Sequence, residues 1–188
     1  MSVSLSNDDK SILLATAREA IAASIEDRDP RWPECGPALS GRYGAFVTLS
    51  KRSPAGRRLL RGCIGRMSSV DPLHQTVRSM AAAAAFDDPR FPPVTERELG
   101  NIDVEISVLS PFEPCAPEDV SPGLHGVYLV RGGRSGVFLP QVAPEQGWDR
   151  QELLEQLCVK AGLEPGSYLL PDARLYRFTA TVFGELET

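Results

Sequence analysis

The sequence predicts an α+β protein with a mainly antiparallel sheet, built from a duplicated strand-strand-helix-strand unit that gives two unequal subdomains. Short apolar segments come in pairs joined by tight turns, which favours antiparallel hairpins over long crossovers. The segments YGAFVTL and HGVYLVR, and the helical segments that follow them, occur in the same order in both halves. At 188 residues, we expect a single domain over 1–188 with approximate halves 1–110 and 111–188.

Composition narrows the class of protein. The net charge is −5 and 42% of the residues are hydrophobic, so a nonspecific nucleic-acid binder is disfavoured. No apolar run approaches the roughly 20 residues of a membrane span, and no export signal is seen, which predicts a cytoplasmic protein. The four cysteines, at 35, 63, 115 and 158, form no close pair, so we expect neither a zinc ribbon nor disulfides.

The first half begins with a helix and a hairpin. Apolar residues recur at helical spacing over 6–28, where Ser6 and Asp9 suggest an N-cap. Residues 42–51 alternate as a strand does, 53–56 supply a turn, and 57–66 are predicted to be the return strand, RRLLRGCIGR.

A second helix is predicted over 71–88, with Asp71 as N-cap and Pro72 at the first helical position. The three prolines of DPRFPPVT make residues 88–95 a stiff connector. Arg90 is expected to anchor it through a salt bridge or, alternatively, to bind an anion. A short helix with a capping box at Thr95 and Glu98 follows, and then a strand over 101–111.

The second half repeats this plan. A hairpin of HGVYLVR (125–131) and RSGVFLPQV (134–142) precedes a helix over 149–163 and one long strand over 174–185. Gly44 then matches Gly126, and we infer a duplication.

Six segments together resemble the AMMECR domain family over about residues 9–186: LRGCIG, MAAAAAFDDPRFPPVT, VEISVLSP, LHGVYL, GVFLPQVAPEQGWD and LCVKAGL. The resemblance implies an α+β protein with two unequal subdomains. It implies no defined reaction and no known cofactor. Bacterial and archaeal members are often encoded beside Memo-like and radical-SAM proteins, which implies a shared pathway. Roles in transcription, replication, repair or translation have also been suggested for the family.

Cys63, in the LRGCIG segment, is the first candidate for chemistry. Gly62 and Gly65 would let a ligand or another backbone approach closely. Arg61 and Arg66 would favour the thiolate and attract an anion. The resemblance makes LRGCIG the hallmark of the family, and Arg66 follows it at a position where family members often carry another residue. The alternatives are a small buried hydrophobic residue or a metal ligand.

A thiol nucleophile needs a base, and the sequence contains only two histidines. We predict a catalytic trio of Cys63, His125 and Glu105, with Glu105 orienting the imidazole. Alternatively, Glu105 pairs with an arginine and His125 caps a turn. Gln141 could present its amide to a bound group from an otherwise apolar strand, or simply point outward.

Three functions follow from these residues. The first is an enzyme or catalytic accessory with a pocket around Cys63 that acts on a small anionic or electrophilic substrate. The second is a non-catalytic partner that docks a pathway enzyme through LRGCIG and DPRFPP. The third, a regulatory role linked to nucleic acid, is disfavoured by the acidic net charge.

Overall fold

A computed structural model describes residues 3–52 and 57–185, which form two compact units. The first unit comprises residues 4–109 with residues 181–185, and the second comprises residues 110–180 with Val3. The predicted turn at 53–56 lies outside the described residues. The α+β class is confirmed, with two four-stranded antiparallel sheets.

In chain order, the helices are α1 (Asn7–Ile25), α2 (Leu73–Phe86), α3 (Glu96–Leu99), α4 (Val142–Gln146) and α5 (Arg150–Lys160). The strands are β1 (Ala45–Arg52), β2 (Arg58–Arg66), β3 (Ile102–Leu109), β4 (Glu113–Pro114), β5 (Gly126–Arg131), β6 (Arg134–Phe138), β7 (Arg174–Phe178) and β8 (Ala180–Gly184). One sheet has the order β2-β1-β3-β8 and the other β4-β7-β5-β6.

Helix α1 begins where the sequence places it. The N–H of Asp9 donates to the Ser6 hydroxyl at 3.1 Å, and the Asp9 carboxylate accepts the Ser6 N–H at 3.0 Å. This reciprocal capping box satisfies donors that the first turn leaves unpaired. Both α1 and α2 then bury one apolar face each, through residues such as Leu13, Ile21 and Val77.

The hairpin of β1 and β2 contains an irregularity that sets which side chains face α2. Leu49 pairs with Gly62 but the next residue, Ser50, pairs with Leu60, so Arg61 is an extra residue of a β-bulge. Beyond the bulge, Gly62 lies on the face packed by α2, and Cys63 lies on the opposite face.

Helix α2 starts later than predicted. Pro72 is at the N-cap position, no side chain caps the helix, and the first helical residue is Leu73. Asp71 is therefore wrong as the N-cap. The proline fixes an extended backbone with φ −54° and ψ 148°, which ends the preceding loop without a side-chain acceptor.

Strand β6 ends at Phe138, which corrects the strand predicted over 134–142. Pro140 removes a ladder donor, and the chain turns so that Gln141 has helical backbone angles and is exposed at the start of α4. The strand predicted over 174–185 is likewise two strands in different sheets. At the break, Thr179 forms two hydrogen bonds with Ser110. The Ser110 N–H donates to the Thr179 carbonyl at 2.9 Å, and the Thr179 N–H donates to the Ser110 hydroxyl at 3.0 Å.

The second unit has its own core. Helix α5 packs on β5 and β6 through a cluster of fully buried side chains that includes Leu129, Leu154, Leu157 and Cys158. Asp149 caps α5 by accepting the Glu152 N–H at 2.9 Å, as the predicted D-x-x-E start requires.

Candidate functional site

The backbone of Cys63 is held by two charged side chains. Strand β2 lies at the edge of its sheet, so the Cys63 N–H and C=O that point away from β1 have no strand partner in the described part of the chain. The Asp88 carboxylate accepts the Cys63 N–H at 2.8 Å, and the Arg90 guanidinium donates to the Cys63 carbonyl at 3.2 Å. We call Asp88 and Arg90 the clamp.

The clamp is itself an ion pair. Arg90 donates to both Asp88 oxygens, at 2.9 and 2.7 Å. The Asp88 side chain is only 2% exposed, whereas that of Arg90 is 53% exposed. Hydrogen bonds from Arg90, and then from the Cys63 N–H, hold the pKa of the Asp88 carboxyl well below its usual range. The clamp therefore stays charged throughout the neutral range.

The Cys63 thiol lies half-buried on the face of the sheet opposite α2. The Thr48 hydroxyl donates to its sulfur at 3.3 Å. Thr48 is opposite Cys63 on one side and opposite Glu105 on the other, so these three side chains form a row across β2, β1 and β3. Glu105 also lies 3.3 Å from the Arg58 guanidinium.

The space beside both hallmark glycines is filled by the protein itself. A Cβ at Gly62 would overlap the carbonyl oxygen of Ala84 in α2, and one at Gly65 would overlap the ring of Phe46. The glycines therefore allow helix α2 and an aromatic ring to pack closely on β2.

Arg61 differs from its expected role as an exposed cation beside the thiol. As the extra residue of the bulge, it turns its guanidinium inward, where only 7% of the side chain is exposed. It donates to Glu98 at 2.9 Å and to the carbonyl of Pro93 at 3.2 Å. Arg66, in contrast, is half-exposed and lies 3.7 Å from Asp71.

Glu98 gathers several donors. Besides Arg61, Lys51 pairs with it, and Thr95 donates to it through its N–H at 2.9 Å and its hydroxyl at 3.0 Å. These contacts, led by Arg61, hold the pKa of Glu98 well below its usual value. Glu98, which forms the predicted cap with Thr95, therefore also holds β2 through Arg61.

His125 belongs to the second unit, whereas Cys63 and Glu105 belong to the first. Its Nδ1 accepts the Ser121 N–H at 3.0 Å, which is a turn contact. It lines a cavity of about 90 Å³ with Glu113 and Arg177. Burial, followed by the charge of Arg177, lowers the pKa of His125, which keeps the imidazole neutral at neutral pH.

Within their own units, Glu105 and His125 make the contacts of the structural alternative, an arginine pair and a turn contact. Their catalytic roles remain predictions, as does ligand binding by Gln141, which is exposed in the second unit. Sequence reasoning missed Thr48 and Asp88. Strand alternation could have put Thr48 on the thiol's face, but no sequence signal pairs Asp88 with the Cys63 backbone.

Among residues 3–52 and 57–185, no group of three or more His, Cys, Asp or Glu side chains is arranged to hold a metal ion. No helix in that part of the chain is long and apolar enough to cross a membrane.

Comparison with known proteins gives consistent matches over nearly the whole chain. The AMMECR1 family model matches residues 14–183. A protein from Methanothermobacter thermautotrophicus is 43% identical over 190 residues, covering 96% of each chain. One from Thermococcus gammatolerans is 41% identical, covering 92% of this chain and 88% of its own.

A solved structure matches as well. The crystal structure of the uncharacterized protein PH0010 from Pyrococcus horikoshii superposes with a TM-score of 0.83 at 37% identity. The match covers 96% of this chain and 93% of that one.

Proposed function

The chain belongs to the AMMECR1 family, a family of uncharacterized function, and we propose that it acts as a cysteine-dependent enzyme or catalytic accessory with Cys63 as the nucleophile. One observation carries the proposal. The half-exposed Cys63 thiol sits on a backbone whose N–H and C=O are both fixed by the clamp. A reactive group held in one geometry is what catalytic positioning requires.

The chemistry is nucleophilic substitution at an electrophilic carbon. The thiol proton passes to a base, a sulfur electron pair forms the C–S bond, and the leaving group departs with the electrons of its bond. The Thr48 hydroxyl, 3.3 Å from the sulfur, supports the anionic sulfur by donating to it. Arg90 is about half exposed next to the Cys63 backbone, but like Arg66 it is already paired with an aspartate. The anionic character of the substrate is therefore the part of the proposal that the competition experiment below tests.

His125 is the proposed base and Glu105 its proposed orienting group. The lowered pKa of His125 suits a base because the imidazole starts neutral. Glu105 shares the row with Cys63 and Thr48 and is paired with Arg58. Gln141, which is exposed in the second unit, is a proposed ligand contact.

Competition for the thiol tests this proposal. The purified protein is treated with iodoacetamide in the presence of pools of small electrophilic and anionic metabolites, and labelling of Cys63 and Cys35 is followed by mass spectrometry. A substrate should protect Cys63 while exposed Cys35 labels at its usual rate. If no pool protects Cys63, or if pools protect both cysteines equally, the proposal is contradicted.

A second candidate is a non-catalytic docking role, favoured by one specific observation. The clamp and the bond from Arg61 to the Pro93 carbonyl join LRGCIG to DPRFPP, and Pro92, Leu59 and Leu60 are exposed beside them. In this case Arg66→Glu combined with Pro92→Ser should abolish binding to a partner, whereas Cys63→Ser should leave it intact. Arg61 is unsuitable for this test because it is buried.

The pathway implied by the family resemblance supplies the partners to try. We propose Memo-like and radical-SAM proteins as candidates, tested by co-purification from the native host. A nucleic-acid-related role is the weakest alternative, because the chain carries a net charge of −5.

We also infer that the two units arose by duplication, which would make the Cys63 hairpin one of two copies. The orders β2-β1-β3 and β6-β5-β7 correspond. In each, a Leu–Gly pair spans the hairpin, Leu49 with Gly62 and Leu129 with Gly136. This alignment matches Gly126 with Phe46 and not with Gly44, which the sequence comparison favours. Both of these glycines face a carbonyl oxygen of the following long helix, from Ala84 or Leu157. Superposition of the two units on these pairs tests the inference, and unrelated helix directions would contradict it.

A further inference from the structure

A cavity of about 650 Å³ lies in the first unit between α1, α2 and the loop that follows α1. Its floor is made of small side chains, namely Ala20, Ala23 and Ser24 from α1 and Ser79 and Ala82 from α2. The volume falls within the range of roughly 300–1,000 Å³ that is typical of small-molecule sites. None of these residues belongs to the Cys63 site.

The cavity wall carries a cation, Arg78, to which the described residues offer no acidic partner. The guanidinium carbon of Arg78 lies 3.4 Å from the centroid of the Trp32 ring, so the two groups are stacked. The Nε of Arg78 is buried without a hydrogen-bond partner, and no ion pair to Arg78 occurs among residues 3–52 and 57–185. Stacking fixes the guanidinium in the cavity wall, where its fork geometry suits a carboxylate.

The other basic residue of the cavity is already neutralised. Arg28 pairs with Glu19 at 2.5 Å and also with Glu26. Hydrogen bonds from Arg28 and from the Arg31 N–H lower the pKa of Glu19 to about 2, so this pair stays charged at neutral pH. Arg28 therefore offers little attraction to a second anion.

Two carboxylates also line the cavity. Asp27 and Asp29 are exposed at the loop after α1, and neither side chain forms an ion pair in the described part of the chain. A simple anion would be attracted by Arg78 but repelled by both acids. An ammonium group on the same ligand removes that repulsion, because the acids then face a cation.

From this arrangement we propose that the cavity binds a small zwitterion of the amino-acid or short-peptide type. The ligand carboxylate pairs with Arg78, its ammonium group faces Asp27 and Asp29, and its apolar part packs on the alanine floor. The proposal is independent of the chemistry proposed for Cys63, and Cys63→Ser should leave binding unchanged.

Trp32 is a built-in reporter for this site. The chain has two tryptophans, and the other, Trp148, packs against Phe138 in the second unit. In a Trp148→Phe background, fluorescence reports on Trp32 alone. The probes are the individual free amino acids and glycyl dipeptides, with succinate as an anion-only control and 1,4-diaminobutane as a cation-only control.

At least one zwitterion should change Trp32 fluorescence in a saturable way, at concentrations at least tenfold below any effect of either control. Arg78→Gln should weaken this binding at least tenfold, whereas Arg97→Gln, which alters an exposed arginine of α3, should not. Asp27→Asn with Asp29→Asn should also weaken it. Both acids are exposed, and asparagine tolerates the positive φ of 49° at Asp27, so these variants should fold even if Arg78→Gln does not.

Three outcomes overturn the proposal. These are no saturable response to any amino acid or dipeptide, succinate binding as tightly as the zwitterions, or unchanged affinity in folded Arg78→Gln or in the Asp27 and Asp29 double variant.

Discussion

The Asp88 carboxylate accepts the backbone N–H of Cys63 at 2.8 Å, across the edge of the first sheet. Arg90 completes the arrangement by binding both Asp88 and the Cys63 carbonyl. A side-chain ion pair therefore satisfies the groups that another strand would otherwise pair. The edge at the hallmark cysteine is closed to strand addition while the thiol stays half-exposed on the sheet face.

Asp88→Asn should weaken the clamp. The substitution removes the charge that attracts Arg90 and leaves a buried amide that satisfies fewer donors. We expect a melting temperature several degrees lower and faster hydrogen exchange at the Cys63 amide. Asp87→Asn is the matched control, because Asp87 is the exposed neighbour and should change neither quantity. Equal effects of the two substitutions would contradict the role of the clamp.

Gly62→Ala should destabilise the first unit. The added Cβ would overlap the Ala84 carbonyl oxygen, so α2 must move away from β2, at a cost of about 1–3 kcal/mol in the free energy of unfolding. Gly100→Ala, which adds a Cβ in open space at φ −76°, should change that free energy by less than about 0.5 kcal/mol. Urea denaturation measures the free energy of unfolding of both variants. If Gly62→Ala is as stable as Gly100→Ala, α2 does not pack closely on β2.

Stability toward acid should depend on Glu98. Its pKa in the folded protein lies below the usual value of 4.5, so its ionised form stabilises the fold at any pH above that value. This stabilisation is lost as the pH falls from about 5 through 4.5 toward the lower folded pKa. Glu98→Gln should therefore lower stability at pH 7 and flatten its dependence on pH between 5 and 3.

The matched control for Glu98 is Glu96→Gln, which alters an exposed carboxylate of the same short helix. Thermal melts at successive pH values should show wild-type pH dependence for this variant. If Glu98→Gln leaves the dependence of stability on pH between 5 and 3 unchanged, the contacts of Glu98 with Arg61, Lys51 and Thr95 contribute nothing to stability.

Thr48→Val should slow the modification of Cys63. Valine keeps the shape of threonine but removes the hydroxyl that donates to the sulfur at 3.3 Å, so the anionic sulfur loses one stabilising contact. Alkylation of Cys63 should become several-fold slower while that of Cys35 in the same sample stays constant. An unchanged Cys63 rate would remove Thr48 from the proposed site.

The local features of the fold could be predicted from the sequence because they depend on neighbouring residues. The Ser6–Asp9 cap and the alternation of β3 are set within a few positions. The split at Thr179 depends on its pairing with distant Ser110, which no local pattern encodes. The proline of LPQV marks the end of β6, whereas the apolar run around it predicts a continuing strand.

The candidate site was predictable only in part, for the same reason. The glycines and arginines around Cys63 in LRGCIG indicate a candidate site, and strand alternation places Glu105 on a polar face. The inward turn of Arg61 depends on a bulge at Leu49 and Ser50 that the sequence does not mark. The sequence therefore suggests an exposed charge at Arg61, whereas in the structure Arg61 forms a buried ion pair with Glu98.

The rate of iodoacetamide modification of Cys63 relative to Cys35 in the wild-type protein at pH 7 tests the central claim most directly. Cys35 is exposed, Cys158 is buried, and burial raises the pKa of Cys115, so the chain carries its own reference thiols. An activated Cys63 should react faster than Cys35 by a factor on the order of ten, despite its lower exposure. A Cys63 that reacts more slowly than Cys35 would contradict its assignment as the nucleophile.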